Sequence, residues 1–311
     1  MSMIQKEAKN KSNFRSNKFF TKSARNAFLH ILRLQRNEGK TLLLPAYIGI
    51  NDYEGSGVFD VIQISRIPYQ FYQVSKNLSP NLNSILLDES SSYCFLAIHY
   101  FGFPADNFDE IIAFCQTKNI TLIEDCAHTL HGLHNNQLLG TFGKFAFHSI
   151  HKILPTDDGG ILVDNSTEKH FIISPENEGI KQETLSTFSL AMHSEIANNR
   201  QQNYRKYLAL LEPNALLEIM QPQLFEGIVP LNFPIRIKNG LREKLYFDLI
   251  EKGITTSALY YRMIPQIEEI VFPESYSISA SILNLPVHQD TTVEQVEFIC
   301  NTINSLLKEY K

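Results

Sequence analysis

Cysteine is scarce in this sequence. Cys94, Cys115, Cys126 and Cys300 are the only four in 311 residues, and no two form a Cys-x-x-Cys pair. That gives no support to a zinc site or a disulfide scaffold, and it fits a reducing, cytoplasmic setting. Long hydrophobic runs are missing as well. No apolar stretch approaches the roughly 18–20 residues of a membrane span, and the polar start, rich in Lys, Asn and Ser, lacks the apolar centre of a secretory signal. Nor is there an excess of basic charge. The formal net charge is −5 and the pI is near 6.1. This argues against a protein whose main work is to hold a polyanion, so neither nucleic acid nor a membrane is expected as a partner.

What is present is ordinary globular material, 43% hydrophobic and 20% charged, so a folded core is expected. The length suits about two domains. Residues 1–18 read as a polar tail, 19–199 as a large domain and 200–311 as a smaller α+β unit. Within the large part, Ser23 to Leu32 predicts a helix entered through a Ser cap. Thr41 to Leu44, Tyr93 to Tyr100, Ile120 to Ile123, Phe145 to Phe147 and Gly160 to Val163 predict short buried strands. Phe108 to Lys118 has helical spacing between two of them. Alternating strands and helices predict an α/β fold with a mostly parallel sheet and helices on both faces. In such sheets ligands bind beyond the C-terminal strand ends. In the smaller unit, Arg200 to Leu211, Arg242 to Glu251 and Thr292 to Tyr310 predict helices. Phe233 to Ile237 predicts a half-exposed strand and Ile282 to Pro286 another.

Three clusters carry chemical potential. Glu124-Asp125-Cys126-Ala127-His128 places acids at the end of a buried strand, where a carboxylate needs a partner. A simple turn-capping role for Asp125 is the plain alternative. Ser149-Ile150-His151-Lys152 with Asp157-Asp158-Gly159-Gly160 puts a lysine in a polar turn. Apolar neighbours would partly desolvate it and lower its pKa, favouring attack on an aldehyde, although a single lysine is by default a surface group. Thr21-Lys22-Ser23-Ala24-Arg25 opens a helix, and free N–H groups there suit an anion. Pyridoxal phosphate needs all three parts: a lysine for its aldehyde, an acid for its ring nitrogen and a helix N-terminus for its phosphate.

These residues resemble the DegT/DnrJ/EryC1/StrS aminotransferases, fold-type I pyridoxal-phosphate enzymes that mostly aminate keto sugars on nucleotide carriers. Ser23-Ala24-Arg25 stands at the family's phosphate turn. Leu43-Leu44-Pro45-Ala46-Tyr47 resembles its strand-Pro-aromatic segment, and Ile98-His99-Tyr100-Phe101-Gly102 its His-x-x-Gly step. Ile123-Glu124-Asp125-Cys126-Ala127-His128 is similar to its Glu-Asp-x-Ala-Gln/His motif, the most specific match. Lys152 followed by Asp158-Gly159-Gly160 resembles its lysine and glycine turn, and Leu283-Asn284-Leu285-Pro286-Val287-His288 its Leu-x-Leu-Pro-x-His ending.

The resemblance implies that Lys152 is the catalytic lysine and that Asp125 pairs with the ring nitrogen. It implies that His128 lies against the ring, that Ser23, the backbone at Ala24 and Ser149 hold the phosphate, and that Tyr47 stacks on the ring. No metal is implied. It further implies a keto-sugar substrate for surface polysaccharide or lipopolysaccharide, an amino donor such as glutamate, and a homodimer. Ala24 replaces the family's glycine, so an unusual backbone angle there would be strained. The family's Asn-x-Arg-Met segment has no counterpart between Gly160 and Arg200. The Ser-x-His-Lys spacing is also similar to that of class V fold-type I enzymes, which keeps a lyase or desulfurase open. A sugar dehydratase, whose branch carries His in place of the lysine, and a degenerate non-catalytic protein of the same fold stay open too.

Overall fold

The structure is a computed structural model and describes residues 17–53, 55–168, 170–257 and 259–310. Residues 1–16 of the polar tail lie outside the described residues. Strands β1 (Lys18–Thr21), β2 (Lys40–Pro45), β3 (Tyr69–Tyr72), β4 (Ser92–Ile98) and β5 (Thr121–Cys126) come first. The short pair β6 (Leu133–His134) and β7 (Gln137–Leu138) follows, then β8 (Phe145–Ser149) and β9 (Gly160–Asp164). Except for β6 and β7, these form one sheet of seven strands in the order β1-β9-β8-β5-β4-β2-β3. The five strands from β8 to β3 pair in parallel, and β9 and β1 add an antiparallel edge. The expected mostly parallel α/β sheet is therefore present.

The central strands are buried on both faces, as near-continuous apolar runs require. Leu42, Leu43 and Leu44, Phe95 and Leu96, and Ile123 are all fully buried. The helix Ala24–Asn37 covers one face with Ala27, Phe28, Ile31 and Leu32, a helical spacing of apolar residues. Ser23 caps it, its hydroxyl accepting from the Asn26 N–H at 3.2 Å. On the other side of the alternation, the helix Phe108–Thr117 joins β4 to β5.

The second sheet contains β10 (Leu217–Ile219), β11 (Asn232–Ile237) and β12 (Ile282–Pro286), all antiparallel. Helices His193–Leu210 and Val293–Glu309 pack together beside it. Thr292 and Gln295 close the start of the last helix with a reciprocal capping box. Two expectations need correction. The helix predicted from Arg200 begins at His193, so residue 200 lies inside it. Strand β11 is not half-exposed: Phe233, Pro234, Ile235 and Ile237 are buried, because the helix Pro273–Ser281 covers it. Arg236 reaches out to the hydroxyls of Ser281 and Ser277 at 2.9 and 2.8 Å.

Candidate active site

The C-terminal ends of β5 and β8 and the start of the helix Ala24–Asn37 open onto one cavity of about 1090 Å³. Ser23, Asp125, His128, Ser149 and Lys152 all line it. These residues are separated by up to 129 positions in sequence, and the sheet order brings them together.

Backbone approach sets the frame. Ser149 and Gly160 sit opposite each other across β8 and β9, so residues 150–159 leave the sheet and return to the same place. Gly159 N–H donates to the Lys22 carbonyl at 2.7 Å, and Ser23 bridges Gly159. A Cβ on Gly160 would collide with the backbone of Ser23 and Ala24. Glycine at 160 thus lets the helix N-terminus dock beside β9. The loop has further anchors: Asp158 accepts from the Lys181 N–H at 3.0 Å and from the Thr184 hydroxyl, and Gln289 donates to the Ile153 carbonyl at 2.9 Å.

Asp125 is 4% exposed. Burial pushes its carboxyl pKa up, opposed by a hydrogen bond from the Ala127 N–H at 2.9 Å and by the positive charge of Lys152. His128 accepts at Nδ1 from the Phe101 N–H at 3.1 Å. Burial and the Lys152 charge hold its pKa well below the ordinary value. The lysine is therefore in electrostatic reach of both groups. Glu124, the neighbouring acid, serves the scaffold. It accepts from His99 Nε2 at 3.1 Å and from the N–H groups of Gly140, Phe142 and Gly143 at 2.7–2.8 Å. Those bonds outweigh its burial and keep its pKa low. With Glu124 so saturated, the buried trio His99, Glu124 and Cys126 reads as part of the core.

Three expectations change. Lys152 is exposed to the cavity rather than desolvated by its neighbours, because Ile153 and Leu154 turn inward while Lys152 stays on the rim. Ala24 needs no unusual backbone angle, since it is the first residue of a right-handed helix. Tyr47, expected to stack on a cofactor ring, is fully buried and absent from the cavity wall. Its ring lies 5.4 Å from that of Tyr260, which does line the cavity. Tyr260 and Arg242, which also line the cavity, carry only weak sequence signals: the aromatic pair Tyr260-Tyr261 and an arginine opening a helix after Asn239-Gly240.

The donor set fits pyridoxal phosphate. A buried carboxylate, a neutral imidazole, a reachable lysine and a helix N-terminus face one space. The cysteines do not join it. All four are buried, none lines the cavity, and burial pushes Cys94, Cys115 and Cys300 up to about 12.

A family model for the DegT/DnrJ/EryC1/StrS aminotransferase family matches residues 83–189 and 182–304. EpsN of Bacillus subtilis strain 168 is 32% identical over 96 residues, covering 29% of this chain and 24% of that protein. GDP-perosamine synthase of Escherichia coli O157:H7 is 31% identical over 72 residues, 22% of this chain and 20% of that protein. The chain thus matches about a quarter or less of the length of these two relatives. A longer match, 21% identical over 272 residues and covering 74% of this chain and 70% of the relative, is to the UDP-4-amino-4,6-dideoxy-N-acetyl-beta-L-altrosamine transaminase of Campylobacter jejuni. Among solved structures, Helicobacter pylori PseC superposes with a TM-score of 0.74 at 16% identity, covering 94% of this chain and 87% of that one.

Proposed function

The chain belongs to the DegT/DnrJ/EryC1/StrS aminotransferase family, and we propose that it uses pyridoxal phosphate to transfer an amino group to a nucleotide-linked keto sugar. The observation that carries this reading is the convergence of Asp125, His128, Ser149, Lys152 and the Ser23 turn on one cavity. The cavity volume of about 1090 Å³ leaves room for a substrate larger than an amino acid. The names of the relatives point the same way, toward amino sugars on nucleotide carriers.

In this reading the Ser23 hydroxyl, the first N–H groups of the helix and Ser149 hold the phosphate. Asp125 pairs with the ring nitrogen and keeps it protonated. His128 would lie against the ring, its Nε2–H available to donate because Nδ1 accepts from the Phe101 N–H. When bound, the cofactor supplies the electron sink for a bond broken at the substrate carbon. Lys152 Nζ takes the proton from the amino donor's carbon and, in the second half of the exchange, supplies the proton that the keto-sugar carbon gains, and its exposed position on the rim suits that movement. Glutamate is the proposed donor. Surface polysaccharide or lipopolysaccharide is the proposed destination, and the cytoplasm the proposed location. No helix among the described residues is long and apolar enough to cross a membrane. The exposed Ile172, Leu190 and Met192 support a homodimer whose partner covers the stretch after β9. The division into a large domain over 19–199 and a small one over 200–311 is likewise proposed, and it rests on the two separate sheets.

The test is the visible absorption of the purified protein with added pyridoxal phosphate, beside Lys152→Ala. A lysine-linked band in the native protein that disappears in the variant, and that decays when glutamate is added, is the expected result. No band in either protein would overturn the reading.

A further inference from the structure

The small-domain side of the cavity contains a second polar feature that the chemistry above leaves unused. Arg242 opens the helix Arg242–Glu251 and lines the cavity. Its side chain is only 10% exposed. Yet its Nε has no hydrogen-bond partner among the described residues. Nη2 makes a long ion pair, 3.7 Å, with Oε1 of Glu243, whose side chain is 72% exposed. The guanidinium also sits 5.7 Å from the centre of the Tyr261 ring. Thr256, on the same cavity wall, has a buried hydroxyl that likewise lacks a partner among the described residues. The helix starts at Leu241 with no side chain capping its N–H groups.

A buried guanidinium N–H left without an acceptor, here Nε, is costly, and natural cores avoid leaving one so. Arg236, in the same part of the chain, has its nitrogens bonded to Ser281 and Ser277. Arg242 differs in facing a cavity. The guanidinium fork accepts two oxygens of a planar or tetrahedral anion, and an uncapped helix start adds N–H groups and dipole of the same sign. We propose that Arg242, Thr256 and the first turn of this helix form a subsite for an anionic oxygen group of a bound substrate, a carboxylate or a phosphate. The subsite stands on this geometry; its use by a substrate rests on the aminotransferase reading.

The test is calorimetric titration of the full chain, loaded with pyridoxal phosphate, using glutarate and inorganic phosphate as separate probes. Arg242→Gln, Arg242→Lys, Thr256→Val, Ser23→Ala and Lys244→Gln are compared with the native protein. Lys244→Gln removes the same charge from the same helix but outside the cavity. Arg242→Gln is expected to weaken at least one probe by about tenfold or more, with Arg242→Lys and Thr256→Val intermediate and Lys244→Gln unchanged. Selective loss of glutarate identifies a donor carboxylate, and selective loss of phosphate identifies the carrier. If Arg242→Gln does not fold, the graded pair Arg242→Lys and Thr256→Val carries the same decision. Equal weakening in Lys244→Gln, loss only in Ser23→Ala, or no binding by the native protein would overturn the proposal. An Arg242-dependent titration in a protein that shows no lysine-linked band would instead overturn the enzymatic reading and leave the subsite standing.

Discussion

The backbone N–H of Phe101 donates to Nδ1 of His128 at 3.1 Å, and this bond determines which form of the imidazole faces the cavity. Phe101 holds a left-handed conformation, with φ of 58°, and its ring lies nearly parallel to that of His128 at 6.2 Å. Because Nδ1 accepts, the ring proton resides on Nε2. Burial and the Lys152 charge push the pKa well below normal. His128 is therefore expected to remain a neutral Nε2–H donor across the range around pH 6.5 where an unperturbed histidine titrates. Nitrogen NMR of the labelled ring checks this; a titration at the ordinary value would overturn it.

A second buried histidine makes stability depend on acid. His148 donates from Nδ1 to the Thr129 carbonyl at 3.0 Å, and burial pulls its pKa down to about 4. Between about pH 6.5 and 4 the unfolded chain binds the proton and the folded chain does not. Stability therefore falls as pH falls through that window. The loss from this residue is about 2 kcal/mol between pH 7 and pH 5. Urea unfolding at the two pH values measures it. His148→Asn, which can still donate to Thr129, is expected to flatten the dependence.

Asp125 separates stability from function. Its carboxyl is buried and its pKa is raised, so the fold carries a desolvation cost. Asp125→Asn retains an oxygen for the Ala127 N–H but removes the charge. It is expected to raise stability by about 1 kcal/mol. On the proposed function it should lower transamination by about 100-fold or more, since the proposed partner of the ring nitrogen is lost. Thermal melts and steady-state rates on one preparation decide the matter. Unchanged rates would remove Asp125 from the chemistry.

Much of this site was legible in the sequence because its residues carry local signals. Asp125 lies near the end of an apolar strand, Ser23 precedes a helical pattern, and Lys152 is followed within eight residues by Asp158-Gly159-Gly160. What could not be read was relative placement. Tyr47 follows a strand and a proline just as a ring-stacking residue would. Its burial behind Tyr260 depends on a contact across 213 positions. Likewise β1 is a four-residue edge strand, Lys18–Thr21, whose ladder partner among the described residues is β9, far along the chain. Its short Phe19-Phe20 core has no period to display. The burial of β11 was missed because alternation along a strand does not reveal the helix that covers its polar face.

Two glycines separate steric fit from backbone strain. Gly160 has no positive φ, so alanine there is conformationally acceptable, but its Cβ would meet the backbone of Ser23 and Ala24. Backbone cannot swing aside as a side chain does, so β9 and the helix N-terminus must part. Gly160→Ala is expected to cost about 1–3 kcal/mol and to weaken pyridoxal phosphate binding, because the part displaced is the Ser23 turn, the proposed holder of the phosphate. Gly179 presents the opposite case. Nothing among the described residues lies within 4 Å of where a Cβ would stand, but φ is +68°. Gly179→Ala should cost about 1 kcal/mol through strain alone and leave the cofactor affinity as it was. Urea midpoints and absorbance titrations of the two variants test the distinction. Equal loss of cofactor affinity in both would mean that the approach of β9 to Ser23 does not shape the phosphate turn.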